Sequence, residues 1–574
     1  MLRRLIGGRL YDPASGLRGE VGELVIDGER LVDCVPAGRE ADETIDLSGM
    51  AVMAGAIDLH THIGGGKLTL AKMLLSEQMQ RHRCEDGVAG FLPTAGVTGR
   101  KYAEMGYAAC FEPAVIASNA RAAHAEMADT PYVDTGGYCL LGNDDCLLRM
   151  LRDEVPQPQI NDYVAWMVRA TRCIAVKVVN AGGISAFKFD GQPLDVDTPH
   201  PHYGVTPATI IRRLARAVSE IGLVHPLHVH CSNLGVAGNI ESTLKTIAAA
   251  DGYPVHLTHV QFHSYGDSGT HGFSSAAERV ARALEQHPNV TVDVGQVMFG
   301  QTVTISADSA HQSANRRYAT PRKSIIVDVE CEAGCGVVPF RYRKKRFVSA
   351  LQWAIGLELF LMVDDPSRVF LTTDHPNGGA FTTYPHLIRL LGDRSFRETA
   401  LAEIHADAAA ASQLAGLERQ YDLLEIATMT RSAPAALLGL PDVGRLTPGA
   451  VADVVVYRND VDLQRMFARP DTVFRRGCPL VREGRWVGPS MTLGAARAGS
   501  IGAAPAGSLG AAPAGLPRTV TFAANPDCAA ETPRRLDGSD YWCAGFQIDQ
   551  LVINEDEMSE TIGTELCAAG MRVG

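Results

Sequence analysis

Short apolar runs that end in histidine, lysine or aspartate recur along this chain, and they constrain its fold more than any other feature. They read MAGAIDLHTHI (53–63), CIAVKVVN (173–180), HPLHVHCSNLG (225–235), VHLTHVQFHSYG (255–266) and RVFLTTDHPNGG (368–379). Such runs, closed by turn residues and without strict alternation, fit strands buried on both faces of a parallel sheet. Helical stretches separate them. The clearest is 206–221, where Thr206 caps, Pro207 sits in the first turn and Ile210, Ile211, Leu214, Val218 and Ile221 share a face before Gly222. A second helix is expected from Ser275, with Glu278 completing a capping box. Strand and helix in alternation predict an α/β fold, a TIM-like (β/α)8 barrel. In such a barrel the strand ends converge on one face, so residues distant in sequence meet.

At 574 residues the chain exceeds what one small core requires. Residues 1–52 and 444–490 each read as short strands between Gly and Pro turns, and neither builds a core alone. They are expected to join as one small β-sandwich beside the barrel at 53–443. Residues 491–516, with GAAPAG repeated, read as a Gly/Ala/Pro linker. Residues 517–574 form a tail expected to rest on a neighbouring chain.

His60 and His62 are two apart on an extended chain and so face the same way, which lets both reach one metal ion. Lys177 interrupts an apolar strand, where a bare ammonium is costly to bury. A buried lysine amine is nucleophilic and can take up carbon dioxide to form N6-carboxylysine, whose two oxygens can bridge zinc ions. A salt-bridged barrel lysine is the competing reading, and Lys188 the competing residue. His230 and His259 close their strands and are assigned as ligands, whereas His228 and His256 lie earlier in theirs. His263 falls beyond the strand with Gln261 and Tyr265, placed to meet substrate or to support a ligand from behind. Asp374 closes the last run and can both bind metal and accept a proton from water. One or two zinc ions there would make hydroxide available near neutral pH and polarise a carbonyl. The expected catalytic groups are Asp374, Lys177 and His263.

Composition excludes other classes. No apolar run is long enough to span a membrane, and Gly7, Gly8 and Arg9 break the start before it could act as a leader, so a cytoplasmic enzyme is expected. The net charge of −12 argues against nucleic acid. The thirteen cysteines lack a framework spacing, and Cys331 and Cys335 read as thiols rather than zinc ligands.

The order HxH, Lys, His, His, Asp between two β-segments resembles the amidohydrolase superfamily, over about residues 1–488. Ala54 stands where proline is typical of that family, a change in a turn and not in a ligand. KVVNAGG, HVHCSNLG, HLTHVQFHSYG, ECEAGCGVVPF and LTTDHPNGG look more narrowly like the amidohydrolase-type chain of formylmethanofuran dehydrogenases and of the formyltransferase/hydrolase complexes of methylotrophs. That resemblance implies His60, His62, Lys177, His230, His259 and Asp374 as metal ligands. It implies hydrolysis of an N-formyl group on a methanofuran-like carrier, with further subunits, one of them a formyltransferase, as partners. Asn180, Gln261 and Tyr265 are then expected at the substrate, and Arg341, Arg343, Lys344, Lys345 and Arg346, in RYRKKR, along the carrier's acidic chain. A tungsten or molybdenum dehydrogenase complex, a cyclic amidohydrolase and a carrier-binding scaffold are the alternatives.

Overall fold

The computed structural model describes residues 1–81, 90–190, 194–329 and 333–489; the expected linker and tail lie outside them. Eight parallel strands form one sheet: Ala56–Asp58, Tyr107–Val115, Asp134–Leu141, Ala175–Val179, Leu227–His230, Val255–Leu257, Val290–Asp293 and Val369–Phe370. Ala175–Val179 and Asp134–Leu141 are buried at every position, as strands covered on both faces must be. The sheet curls until its edges meet at a parallel bridge between Thr61 and His375, where the His62 N–H donates to the His375 carbonyl at 2.8 Å.

The helices between strands follow the expected chemistry, with one correction. Pro207–Glu220 starts as expected, the Thr206 hydroxyl accepting from the Thr209 N–H at 3.2 Å. The helix expected from Ser275 instead spans Ala277–Gln286 and has no side-chain cap. The Ser275 hydroxyl is drawn to the buried Glu358 carboxylate, and Glu278 pairs with Arg282 at 2.5 Å.

The two chain ends do combine, into one nine-stranded sheet that folds back on itself: its edge strand Arg30–Val32 meets residues 450–452, and the Arg3 guanidinium lies 5.8 Å from the Phe474 ring. Met50–Ala54 pairs with Val454–Arg458, which joins the N-terminal and C-terminal strands edge to edge. Continuous pairing satisfies the edges of both segments, and Leu5, Val52, Val454 and Phe474 form the core on one side of it. The sequence reading did not foresee the antiparallel sheet of Gly300–Ser306, Ile325–Val329 and Ala333–Tyr342, inserted between the seventh and eighth ring strands. Among the described residues no helix is long and apolar enough to cross a membrane.

Arg475 fastens the flanking sheet to the barrel. Its guanidinium lies 2.8 Å from Asp134 on the third ring strand and 2.5 Å from Asp453, and its Nε donates to the Tyr132 carbonyl at 2.9 Å. All three side chains are buried. Removing one partner from a buried ion network strands the others, at roughly 3–5 kcal/mol. Arg475→Met is therefore expected to destabilise the fold by that much in denaturant titration, and Arg475→Lys by less. An unchanged midpoint for Arg475→Met would show that the clamp contributes nothing.

Candidate metal centre

The C-terminal ends of the ring strands deliver His60, His62, Lys177, His230, His259 and Asp374 to the wall of one cavity of about 390 Å³. The Nε2 atoms of His60 and His62 lie 3.1 and 3.4 Å from Oδ1 of Asp374. Both rings are fixed from behind. Nδ1 of His62 donates to Glu112 at 2.7 Å, and the other Glu112 oxygen accepts from the N–H groups of Ile63 and Gly64 at 2.9 and 3.2 Å. Nδ1 of His60 lies 3.2 Å from Asp293 and 3.0 Å from His228, with the Thr258 hydroxyl also in contact. A histidine whose Nδ1 is engaged by a carboxylate presents its Nε2 as a ligand.

His259 and Asp374 leave their strands through left-handed backbone, with φ of 36° and 50°. Such conformations are sparse for non-glycine residues and cost about 1–3 kcal/mol each. Asp293 holds the first of them, accepting from the His259 N–H at 2.8 Å. Gly295 makes room for it, since a Cβ there would lie 2.3 Å from that of His259.

Electrostatics follow from this crowding. Burial alone would raise the Asp374 carboxyl, but His60, His62 and His259 outweigh it and hold it well below the usual carboxylate range. Asp293 is held down in the same way by His60 and His256. Burial pushes the Lys177 ammonium down to about 7. His259 and His263 are driven well below the ordinary histidine value, again by burial, and so are neutral.

Neutral imidazoles and ionised carboxylates are the state a metal requires. Nε2 of His230, Nδ1 of His259 and both nitrogens of His263 are buried without a hydrogen-bond partner among the described residues. Ligand atoms of His60, His259 and Asp374 fall within 4.8 Å of one another, and so do those of His230, His259 and His263. Unpartnered nitrogens in matched groups fit bound cations, since a buried polar atom is otherwise almost always satisfied.

Other expected residues sit elsewhere. His263 belongs to a metal-capable group rather than reaching into the cavity alone. Asn180, at φ 44°, donates to Asp308 at 3.4 Å; Gln261 is fully buried; the Tyr265 hydroxyl accepts from Gln352 at 3.1 Å. None of the three lines the cavity; Gln261 and Tyr265 are carried aside because the chain turns into the 3₁₀ segment Val260–His263 directly after His259. Arg341, Lys344 and Lys345 also miss the lining; Lys344 pairs with Glu403 at 2.5 Å. Of the basic residues in that run Arg346 does line it, joined by Arg317, their guanidiniums 4.9 and 4.8 Å from the Tyr318 ring. His228 and His256 lie beneath the site. Lys188 falls in the helix Gly183–Asp190, its side chain outside the described residues, as is Cys331, while Cys335 is a buried thiol.

Sequence reasoning missed Glu112, Asp293 and Lys67. Glu112 is the lone acid within YAACFEPAV, and Asp293 ends VTVD just as His230 ends LHVH, so both carried a readable signal.

A model of the amidohydrolase family, Amidohydro_3, matches residues 43–481. FhcA, from the formyltransferase/hydrolase complex of Methylorubrum extorquens, is 46% identical over 494 residues, covering 85% of this chain and 89% of that protein. Protein FwdA of Methanocaldococcus jannaschii is 35% identical, covering 84% and 88%. The crystal structure of the FhcABCD complex of Methylorubrum extorquens with methylofuran contains a chain that superposes with a TM-score of 0.81 at 46% identity, covering 85% of this chain and 90% of that one. The family model over most of the chain and the relatives at 46% and 35% identity show that the chain belongs to the amidohydrolase family.

Proposed function

We propose that this chain is the hydrolytic subunit of a formyltransferase/hydrolase complex, cleaving an N-formyl group from a methylofuran-type carrier to give formate and a free amine. The observation that carries this reading is the meeting of His60, His62, His259 and Asp374 in one water-accessible cavity. The 46% identity to the Methylorubrum subunit of a formyltransferase/hydrolase complex supports the hydrolase complex over the alternatives.

His60, His62, His230, His259, Asp374 and Lys177 would hold zinc, and the two donor groups that share His259 support a pair of ions. Bound zinc supplies Lewis acidity, which lowers the pKa of water and polarises a carbonyl. Asp374 accepts a proton as water adds to the formyl carbon, and returns it to nitrogen as the C–N bond breaks. Glu112 and Asp293 keep the imidazoles in the tautomer that leaves Nε2 unprotonated. Lys177, buried in apolar strand surroundings, takes up carbon dioxide with loss of a proton and becomes N6-carboxylysine. Arg317 and Arg346 meet the carrier's acidic chain, since cations attract anions at range.

Asp374→Asn in the zinc-loaded complex is expected to cut formate release by about 100-fold or more, the scale of a lost general base. A normal rate, or a purified complex without metal, would leave only a carrier-binding scaffold. Glu112→Gln is expected to weaken zinc binding by about 10–100-fold with little change in melting temperature. Enzyme stripped of zinc and bicarbonate is expected to recover activity only when both are restored. Full recovery with zinc alone would exclude a carboxylated Lys177.

A further inference from the structure

The cavity wall holds a second lysine. Lys67 lies in the first turn of the helix Gly66–Leu74, just after the left-handed Gly65 at φ 95°, and its side chain lines the cavity. It is 5% exposed, and its Nζ makes no hydrogen bond among the described residues. Glu112 and Asp374 are near enough to act on its charge, yet burial outweighs them and lowers its pKa.

Neither carboxylate makes a hydrogen bond to its Nζ among the described residues. Glu112 already accepts from His62, Ile63, Gly64 and Ala114. Oδ1 of Asp374 faces His60 and His62 and accepts from Asn377 at 3.0 Å. An ammonium has three donors, and burying them unmade is costly. A partner from outside the chain reaches Lys67 through the cavity that it lines. A small partner fits, since Lys67 shares the lining of this one cavity of about 390 Å³ with His62 and Asp374. It has to be anionic, since a compact ammonium favours concentrated negative charge.

We propose that Lys67 binds the carboxylate of formate, the small product of the hydrolysis, and holds it beside Asp374 while the amine departs. This rests on the hydrolase reading above. In the reverse condensation the same contact positions formate for attack by the amine.

The test is hydrolysis of the formylated carrier by the zinc-loaded complex, with sodium formate as added inhibitor. Lys67→Met is expected to raise the inhibition constant for formate by about tenfold or more, as loss of a charge-assisted hydrogen bond does, while the KM for the carrier stays nearly in place. Lys67→Arg is expected to recover part of the loss. Unchanged formate inhibition in a Lys67→Met complex that retains its zinc and melting temperature overturns the proposal. So does a wild-type crystal soaked in formate in which the anion settles out of reach of Nζ, a result that needs no variant to fold. Failure of the wild-type complex to release formate at all strikes the hydrolase reading itself, and the proposal with it.

Discussion

Where the ring strands end, side chains are packed away from bulk solvent, and every ionisable group delivered there must be answered by another. Burial drives the His259 imidazole well below its ordinary value, Glu112 and Asp374 outweigh burial to raise that of His62, and the Asp374 carboxylate is the point where these demands meet. Its left-handed backbone, the matching turn at His259 and the glycine at 295 all serve that meeting. The outlying pieces are arranged to keep it fixed. Glu112 reaches His62 from the second ring strand, and Asp293 from the seventh ring strand touches His60, His256 and the His259 backbone together.

Much of the site was legible because side chains on a strand alternate. His60 and His62 had to face one way, and His230, His259 and Asp374 each closed an apolar run. Alternation says nothing of depth, however. His228 shares a face with His230 but lies level with Lys177 and His256 in the strand register, below the opening, where it serves His60. Lys177 reaches the cavity from that lower level because its side chain is longer than an imidazole. Glu112, Asp293 and Lys67 were passed over for a different reason. An acid or a lysine among apolar residues gives its position but not its partners, and here the partners come from strands and turns far along the chain.

The barrel itself followed from the alternation of strand and helix, and the joining of the chain ends from their inability to fold alone. Details that depend on competition between contacts were not readable. Ser275 donates to the buried carboxylate of Glu358 and accepts from the Ala277 N–H at 3.2 Å, one residue before the position from which a cap reaches the first turn. The basic run at 341–346 suggested a wall for an anion. Yet Lys344 finds Glu403, and of the cations in that run only Arg346 lines the cavity, joined by Arg317 from the 3₁₀ turn Arg316–Tyr318 more than twenty residues earlier. The single nine-stranded sheet likewise depends on which edges find each other, and short strands alone do not reveal this.

The three-stranded sheet over the cavity enters the chain between the seventh and eighth ring strands, and both of its attachments lie outside the ring itself. Lengthening, shortening or rewriting it leaves the parent strand of every histidine in register. The part of the cavity lining that this sheet supplies and the metal-capable donors of the ring are thus written in separate stretches of the chain. Selection can rework the former while the latter is inherited intact.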